Sequence, residues 1–492
     1  MTKHLDIDTK AMRAKILDLA IQGKLTDQRQ EDGNARDLLK EIQAEKEKLI
    51  KEKKIKKEKP LPAITEEKKP FEIPENWEWV RLGNISNYGG TKTKVSSVDI
   101  DDSTWVLDME DIEKESGKIL SYKIGIHRSI KGERIVFSQN DILYSKLRPY
   151  LQKILIAPKD GVCTTELVPF SCYGDVYHKY IVTVLKSSYV TGIVNAKAHG
   201  VKMPRVGTDA MKELLIPLPP LAEQKRIADK VSALFAQLDA IDKAYEEYRE
   251  LQQAMKAKLL ELAIQGKLTD QRQEDGDARD LLKVIQAEKE KLIKEKKIKK
   301  EKPLPEIEAD EIPFEIPKNW MWVRLGEIVS VFGGKRIPKG TKLQDTPTKY
   351  RYIRVADMEY NTVNIPSVKY ISEEIYKKIK RYTISDQDVY ITVAGTIGKV
   401  GTIPHELNNA NLTENANKLV PYNLNKEFLC NILKSPFGKA QIEKNITRVS
   451  QPKLAIKRIE RFVIPLPPLA EQKRIVAKLD ELLPHLNPGK EP

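Results

Sequence analysis

From residue 221 to 264 the apolar positions step by four and three: Ile227, Val231, Leu234, Leu238, Ile241, Tyr245, Tyr248, Gln252, Met255, Leu259 and Leu262. Only Gln252 breaks this seam, and Asp239, Asp242, Lys243, Glu246, Glu247 and Arg249 lie off it. The pattern predicts one long helix with a coiled-coil face and a solvated back. At 1.5 Å per residue it spans about 65 Å, which suits a spacer that packs against a partner. Both chain ends carry matching text. Met12, Ile16 and Leu19 copy Met255, Leu259 and Leu262, while Ile475, Leu479, Leu482 and Leu486 copy Ile227, Val231, Leu234 and Leu238. The N-terminus thus holds the second half of the motif and the C-terminus the first. A repeat divided in this way predicts a pseudo-two-fold circular arrangement, with the two termini building an interrupted helix antiparallel to the central one. Ile241 to Tyr248 has only a weak counterpart near Leu5, so a gap or weak joint is expected there.

Residues 11–62 recur almost unchanged as residues 254–305. Asp8 or Thr9 is the expected N-cap of the first helix and Gly23 its stop. Asn34 and Asp277 differ but serve equally as N-caps for the helices that follow. Those helices run into KEKLIKEKKIKKEK at Lys46–Lys59 and Lys289–Lys302, a solvated helix or linker with phosphate contact as the sharper alternative. Next come two matching strings, FEIPENWEWVRLG from Phe71 and FEIPKNWMWVRLG from Phe314. After them the text diverges into β-rich inserts, RIVFS, DILYSKL and KILIAP against DVYITVAG and KVGTIP. Each insert closes on PLPPLAEQKRI, at Pro217–Ile227 and Pro465–Ile475. The expected organisation is therefore a helical segment over 1–70, an insert domain over 71–216, a helical region over 217–313, a second insert domain over 314–464 and a closing helix over 465–492. The fold class is α+β, with two globular α/β domains separated by two long antiparallel coiled-coil helices.

Composition narrows the chemistry. A chain of 492 residues with 40% hydrophobic content supports more than one core, and a net charge of +14 favours a polyanionic partner. Three cysteines exclude a disulfide framework, the N-terminus has no secretory pattern, and no apolar run reaches the ~18 residues of a membrane span. A cytoplasmic protein without a membrane partner is expected.

The shared strings argue against catalysis. Pro219 and Pro220 suit a helix start better than a polyproline ligand, and Glu223 complements the helix dipole. A base-extruding methyltransferase needs Asn or Asp before Pro-Pro and an aromatic residue after it. Leu218 and Leu221 occupy those places, and no Gly-rich cofactor loop accompanies them. The six histidines are scattered, Cys163 and Cys172 lack a second pair for a metal, and Gly395, Gly398 and Gly401 fit tight turns between strands.

Trp77, Trp79, Trp320 and Trp322 sit in the strings that open the inserts and are expected to anchor the domain cores. Residues that read different targets belong where the copies diverge. In the first insert these are Thr91, Lys92, Lys94, Lys146, Arg148, Tyr150, Lys202 and Arg205. In the second they are Lys335, Arg336, Arg354, Thr396, Lys399, Arg448, Ser450, Gln451 and Lys453. Arg and Lys bond guanine in the major groove and Gln pairs with adenine; a phosphate contact or a solvated charge is the alternative for each.

The doubled PLPPLAEQKRI, the doubled LAIQGKLT and the paired P-x-x-W-x-x-V-x-L-G strings together resemble the specificity subunit of type I restriction–modification systems, over essentially the whole chain. The resemblance implies two target-recognition domains, each binding half of a split sequence in double-stranded DNA, with the helices setting the unread gap. It implies a non-catalytic chain without a cofactor of its own. S-adenosylmethionine would belong to two methyltransferase subunits, and ATP and Mg2+ to restriction subunits that cleave DNA in defence against phage. Because the inserts differ, an asymmetric target is expected. The competing expectation is a coiled-coil scaffold whose inserts bind proteins.

Overall fold

The computed structural model describes residues 7–90, 92–128, 130, 132–447 and 451–486. Among the described residues, 7–246 form one compact unit and those from 247 a second, so the division falls within the continuous helix Leu221–Ile264.

In the first unit, Thr9–Ile21 is a helix whose N-cap Asp8 accepts from the Ala11 N–H. It lies antiparallel to the start of the central helix: Thr9 and Arg13 reach Asp242, Arg13 also reaches Asp239, and further along Gln28 meets Glu223. Asn34 caps the helix Ala35–Lys51, as Asp277 caps Ala278–Lys294 in the second unit.

The two inserts are built alike despite their divergent text. In the first, a five-stranded sheet has the order 94–96, 133–137, 161–163, 105–107, 123–124, beside a three-stranded sheet of 154–156, 142–145 and 167–170. In the second, 369–371, 350–353, 410–412 and 383–384 form one sheet, and 329–333, 416–421, 389–392 and 400–402 the other. A parallel strand pairing recurs, with Leu107 opposite Cys163 and Ile353 opposite Leu412. Gly395 and Gly398, both at positive φ, make the turn between the paired strands 389–392 and 400–402. The strand that opens each insert pairs antiparallel with the strand just before the shared helix, Trp79 opposite Pro217 and Trp322 opposite Pro465. A clasp of that kind closes each insert between its own two ends.

The coiled-coil seam differs from the heptad reading. Ile227, Val231 and Leu238 are buried and Leu234 half-buried, yet Ile241, Tyr245, Tyr248 and Met255 are exposed. On the first helix the buried positions are Leu17, Ala20 and Ile21, while Met12 is exposed and Ile16 and Leu19 are half-buried. Arg13 takes the contact expected of Met12, with its guanidinium 5.2 Å over the Phe235 ring. In the second unit Ile475 and Leu479 are buried, and Leu259, Leu262, Leu482 and Leu486 are half-buried. The physical reason lies in where the inserts pack. Helix ends bury where a domain core covers them, whereas Ile241, Tyr245, Tyr248 and Met255 belong to neither core and stay exposed.

Candidate nucleic-acid interface

Each insert is held by a scaffold clamp that the repeated strings build twice. Glu223 is fully buried; it accepts the Trp77 indole N–H at 2.8 Å and the Gln28 amide at 2.6 Å. Glu471 accepts Trp320 at 2.7 Å and Gln271 at 2.5 Å. Burial raises the pKa of both carboxyls, against the lowering effect of those hydrogen bonds. The Gln224 and Gln472 carbonyls accept the backbone N–H of Tyr177 and Asn425, and their amides donate to Pro219 and Pro467. Arg226 forks onto Asp32 and Arg474 onto Asp275. The basic helices join in: Lys46 donates to the Gly83 carbonyl at 3.0 Å and Lys289 to Gly326 at 2.6 Å, each with a lowered pKa from burial. Those two lysines are therefore internal braces rather than part of a solvated run.

Beyond the clamps lies a rim of loops in each insert. In the first, the Lys146 N–H donates to Glu166 at 3.1 Å, the Val206 N–H to Lys146 at 3.0 Å and the Arg148 N–H to Pro204 at 2.7 Å. These bonds join residues 146–150, 164–166 and 197–206, and so gather Lys146, Arg148, Lys202 and Arg205. Arg205 forks onto Glu166, with its shortest contact at 2.7 Å, and Lys202 is exposed. Lys94 lies apart, exposed on an edge strand and paired with Glu133 at 2.6 Å. Tyr150 is exposed too, but it lines a groove with Arg13, Leu17 and Phe235 on the scaffold side.

The second insert repeats the rim. The Val393 N–H donates to Asn415 at 2.8 Å, Leu454 to Val393 at 3.0 Å and Gly334 to Ala416 at 3.0 Å. Lys335, Arg336, Thr396, Gln451 and Lys453 are all exposed along these loops. Arg336 pairs with Glu414, and the Lys335 ammonium stands 5.7 Å from the Tyr382 ring centre.

Three expected readers are occupied elsewhere. Lys92 is half-buried and donates to the Pro169 carbonyl, and burial lowers its pKa. Lys399 donates to the Met358 carbonyl at 2.7 Å. Arg354 holds the fully buried Asp357 at 2.6 Å and the Ser367 carbonyl at 2.7 Å. A lysine or arginine next to a strand end finds backbone carbonyls and buried carboxylates within reach, and sequence alone does not separate these from solvent. Thr91, Arg448 and Ser450 lie outside the described residues.

Other residues escaped the sequence reading. Arg128 and Arg134 converge on Asp108, and Arg128 also reaches Asp111, the counterpart of Asp357. Ser121 and Ser367 bond these two aspartates alike, at 2.7 and 2.9 Å. Lys186 is drawn down to about 8 by burial, with its ammonium on the Ser116 carbonyl at 2.6 Å, and Lys434 holds the matching place on Asn361. The signal was present as Leu-Lys-Ser at 185–187 and 433–435, where Ser187 and Ser435 each cap the next helix.

Among the described residues no group of three or more His, Cys, Asp or Glu side chains is placed to hold a metal, and no helix is long and apolar enough to cross a membrane. Residues 74–248 and 317–490 match the family model described as "Type I restriction modification DNA specificity domain". The chain is 30% identical to the type I restriction enzyme EcoAI specificity subunit of Escherichia coli, over 97% of this chain and 89% of that one. It is also 30% identical to the EcoEI specificity subunit of Escherichia coli, over 80% of this chain and 74% of that one. A solved chain described as "Structural basis underlying complex assembly and conformational transition of the type I R-M system" shares the fold, with a TM-score of 0.60 at 23% identity, covering 85% of this chain and 93% of that one.

Proposed function

This chain belongs to the family of type I restriction–modification specificity subunits, non-catalytic chains that recognise DNA sequence, and we propose that its two inserts read the two unlike halves of one split, asymmetric target. The observation that carries the reading is the pairing of one clamp with two different rims. Trp77–Glu223 and Trp320–Glu471 hold the inserts alike, yet the rims present Arg148, Lys202 and Arg205 in one and Lys335, Arg336 and Gln451 in the other. The cations supply phosphate affinity, and the rim residues that differ supply base readout.

In this proposal the central helix and the chain ends form a pseudo-two-fold pair of antiparallel coiled-coil helices that sets the unread gap. Two methyltransferase subunits dock on the like scaffold surfaces, since two copies of one partner require two like sites. The scaffold text that recurs almost unchanged at residues 11–62 and 254–305 supports this. S-adenosylmethionine then belongs to those subunits, and ATP and Mg2+ to the restriction subunits.

A genome-wide map of methylated adenines, made after expression of this chain with its methyltransferase subunit and with each alone, tests the proposal. A split asymmetric motif that requires both chains is expected. Exchanging the inserts 71–216 and 314–464 should exchange the half-sites; an unchanged motif refutes the division of labour. A salt-independent interaction with DNA favours the protein-binding scaffold instead.

A further inference from the structure

On the rim of the first insert, residues 199–205 form a tight hairpin. The backbone groups of His199 and Arg205 exchange two hydrogen bonds of 2.9 Å each, and Gly200 turns the chain at φ +108°. The tip carries Val201, which is fully exposed, and Met203, which is 46% exposed. Apolar side chains at the end of a short ribbon gain nothing from water, and here they stand among cations. Lys202 lies between them, Arg205 closes the ribbon, and Arg148, itself at φ +47°, fixes the hairpin from below through its N–H on the Pro204 carbonyl and its guanidinium on the Lys202 carbonyl at 3.4 Å.

We propose that this hairpin is a base-reading arm, in which Val201 and Met203 make an apolar contact with a thymine methyl in the major groove while the surrounding cations meet phosphates. The proposal rests on the DNA-recognition reading above and names specificity-determining residues within it. The major groove admits a two-stranded ribbon, so this short loop, closed by the single His199–Arg205 bridge, fits it, and the thymine C5-methyl is the one apolar group exposed along the groove floor. Arginine and lysine do not distinguish thymine by that methyl; valine and methionine do. The second insert places a different chemistry at the position matching Met203, while Val201 is matched by another valine, Val449, so Met203 carries the difference between the inserts. The Thr447 N–H donates to the Lys453 carbonyl at 3.0 Å, as His199 does to Arg205, so exposed Gln451 corresponds to Met203, each two residues before the closing cation.

The test uses the full chain assembled with its methyltransferase subunit and duplexes carrying the mapped target. Each thymine of the first half-site is replaced in turn by uracil, which removes only the methyl. With the wild-type complex, one replacement should weaken binding about three- to five-fold, within what a single methyl contact contributes. Met203→Ala and Val201→Ala should weaken binding to the thymine duplex similarly and abolish the difference between thymine and uracil there. Met203→Gln should move the preference at that base pair toward adenine on the contacted strand. Both side chains are exposed, so the core is untouched. If the wild type discriminates target from scrambled duplex but no uracil matters, or if the uracil penalty survives in both alanine variants, the arm is overturned. Loss of methyltransferase affinity with base preference intact overturns it equally. If the wild type does not discriminate target from scrambled duplex at all, the recognition reading fails first.

Discussion

The Trp77 indole N–H donates to the Glu223 carboxylate at 2.8 Å, tying the segment that opens the first insert to the helix that leaves it. Trp320 and Glu471 repeat the contact at 2.7 Å around the second insert. A domain clasped at both ends by the same pair of side chains is free to diverge between them.

Glu223→Ala leaves the buried Trp77 N–H without an acceptor and removes the contact to the exposed Gln28 amide, and should cost about 1–3 kcal/mol of stability. Glu223→Gln keeps an acceptor and should cost less. Denaturant unfolding measures both, and the same order is expected for Glu471.

The Arg128 side chain sits against Asp108 and Asp111, and Asp111 is buried. Arg128→Ala leaves that carboxylate without its close guanidinium, held by the Ser121 hydroxyl and the Asp108 N–H, and should destabilise the first insert by about 2–3 kcal/mol. Arg128→Lys should recover only part, because one ammonium does not span both aspartates. Thermal unfolding of the two variants separates the outcomes.

Glu311 takes both arms of Arg324, at 2.8 and 2.6 Å, and the hydrogen bond to Arg324 holds its pKa at about 2 against the usual 4.5. A carboxylate depressed in the folded state adds stability above its unfolded pKa, and this is lost as pH falls through the folded value. Stability should therefore decline between about pH 4.5 and 2, and Glu311→Gln should flatten that part of the curve. Among the described residues Arg81, the counterpart of Arg324, donates to the backbone carbonyls of Pro62, Ala63 and Glu213 rather than to a carboxylate, so this contribution is expected from the second unit. Acid titrations of wild type and variant check the slope.

Lys202 and Lys92 should behave oppositely in DNA binding. Lys202→Ala removes an exposed cation on the rim, and should reduce the slope of log affinity against log salt by about 1. Lys92→Ala should leave the slope unchanged and lower stability, because its ammonium is spent on the Pro169 carbonyl. Equal slopes for both variants would remove Lys202 from the interface.

The repeats, the long central helix and the caps at Asn34 and Asp277 were legible in the amino-acid order, because each depends on local periodicity or backbone preference, while folding chose Asp8 over Thr9 as the first cap. Glu223 was legible at a helix start, but the Trp77 and Gln28 contacts that bury it come from residues far away in the chain. Which cations stay in water is settled only when the chain is folded. Lys92, Lys399 and Arg354 look like Lys202 and Arg205 as letters, and differ only in whether a carbonyl or buried carboxylate lies within reach. Folding also reveals that two unlike inserts share one framework, since strand pairing and the buried aspartates Asp111 and Asp357 fix the backbone while most side chains change. The apolar seam, continuous as text, is buried only where a neighbouring core covers it; burial is a property of what packs against a face, which periodicity does not supply.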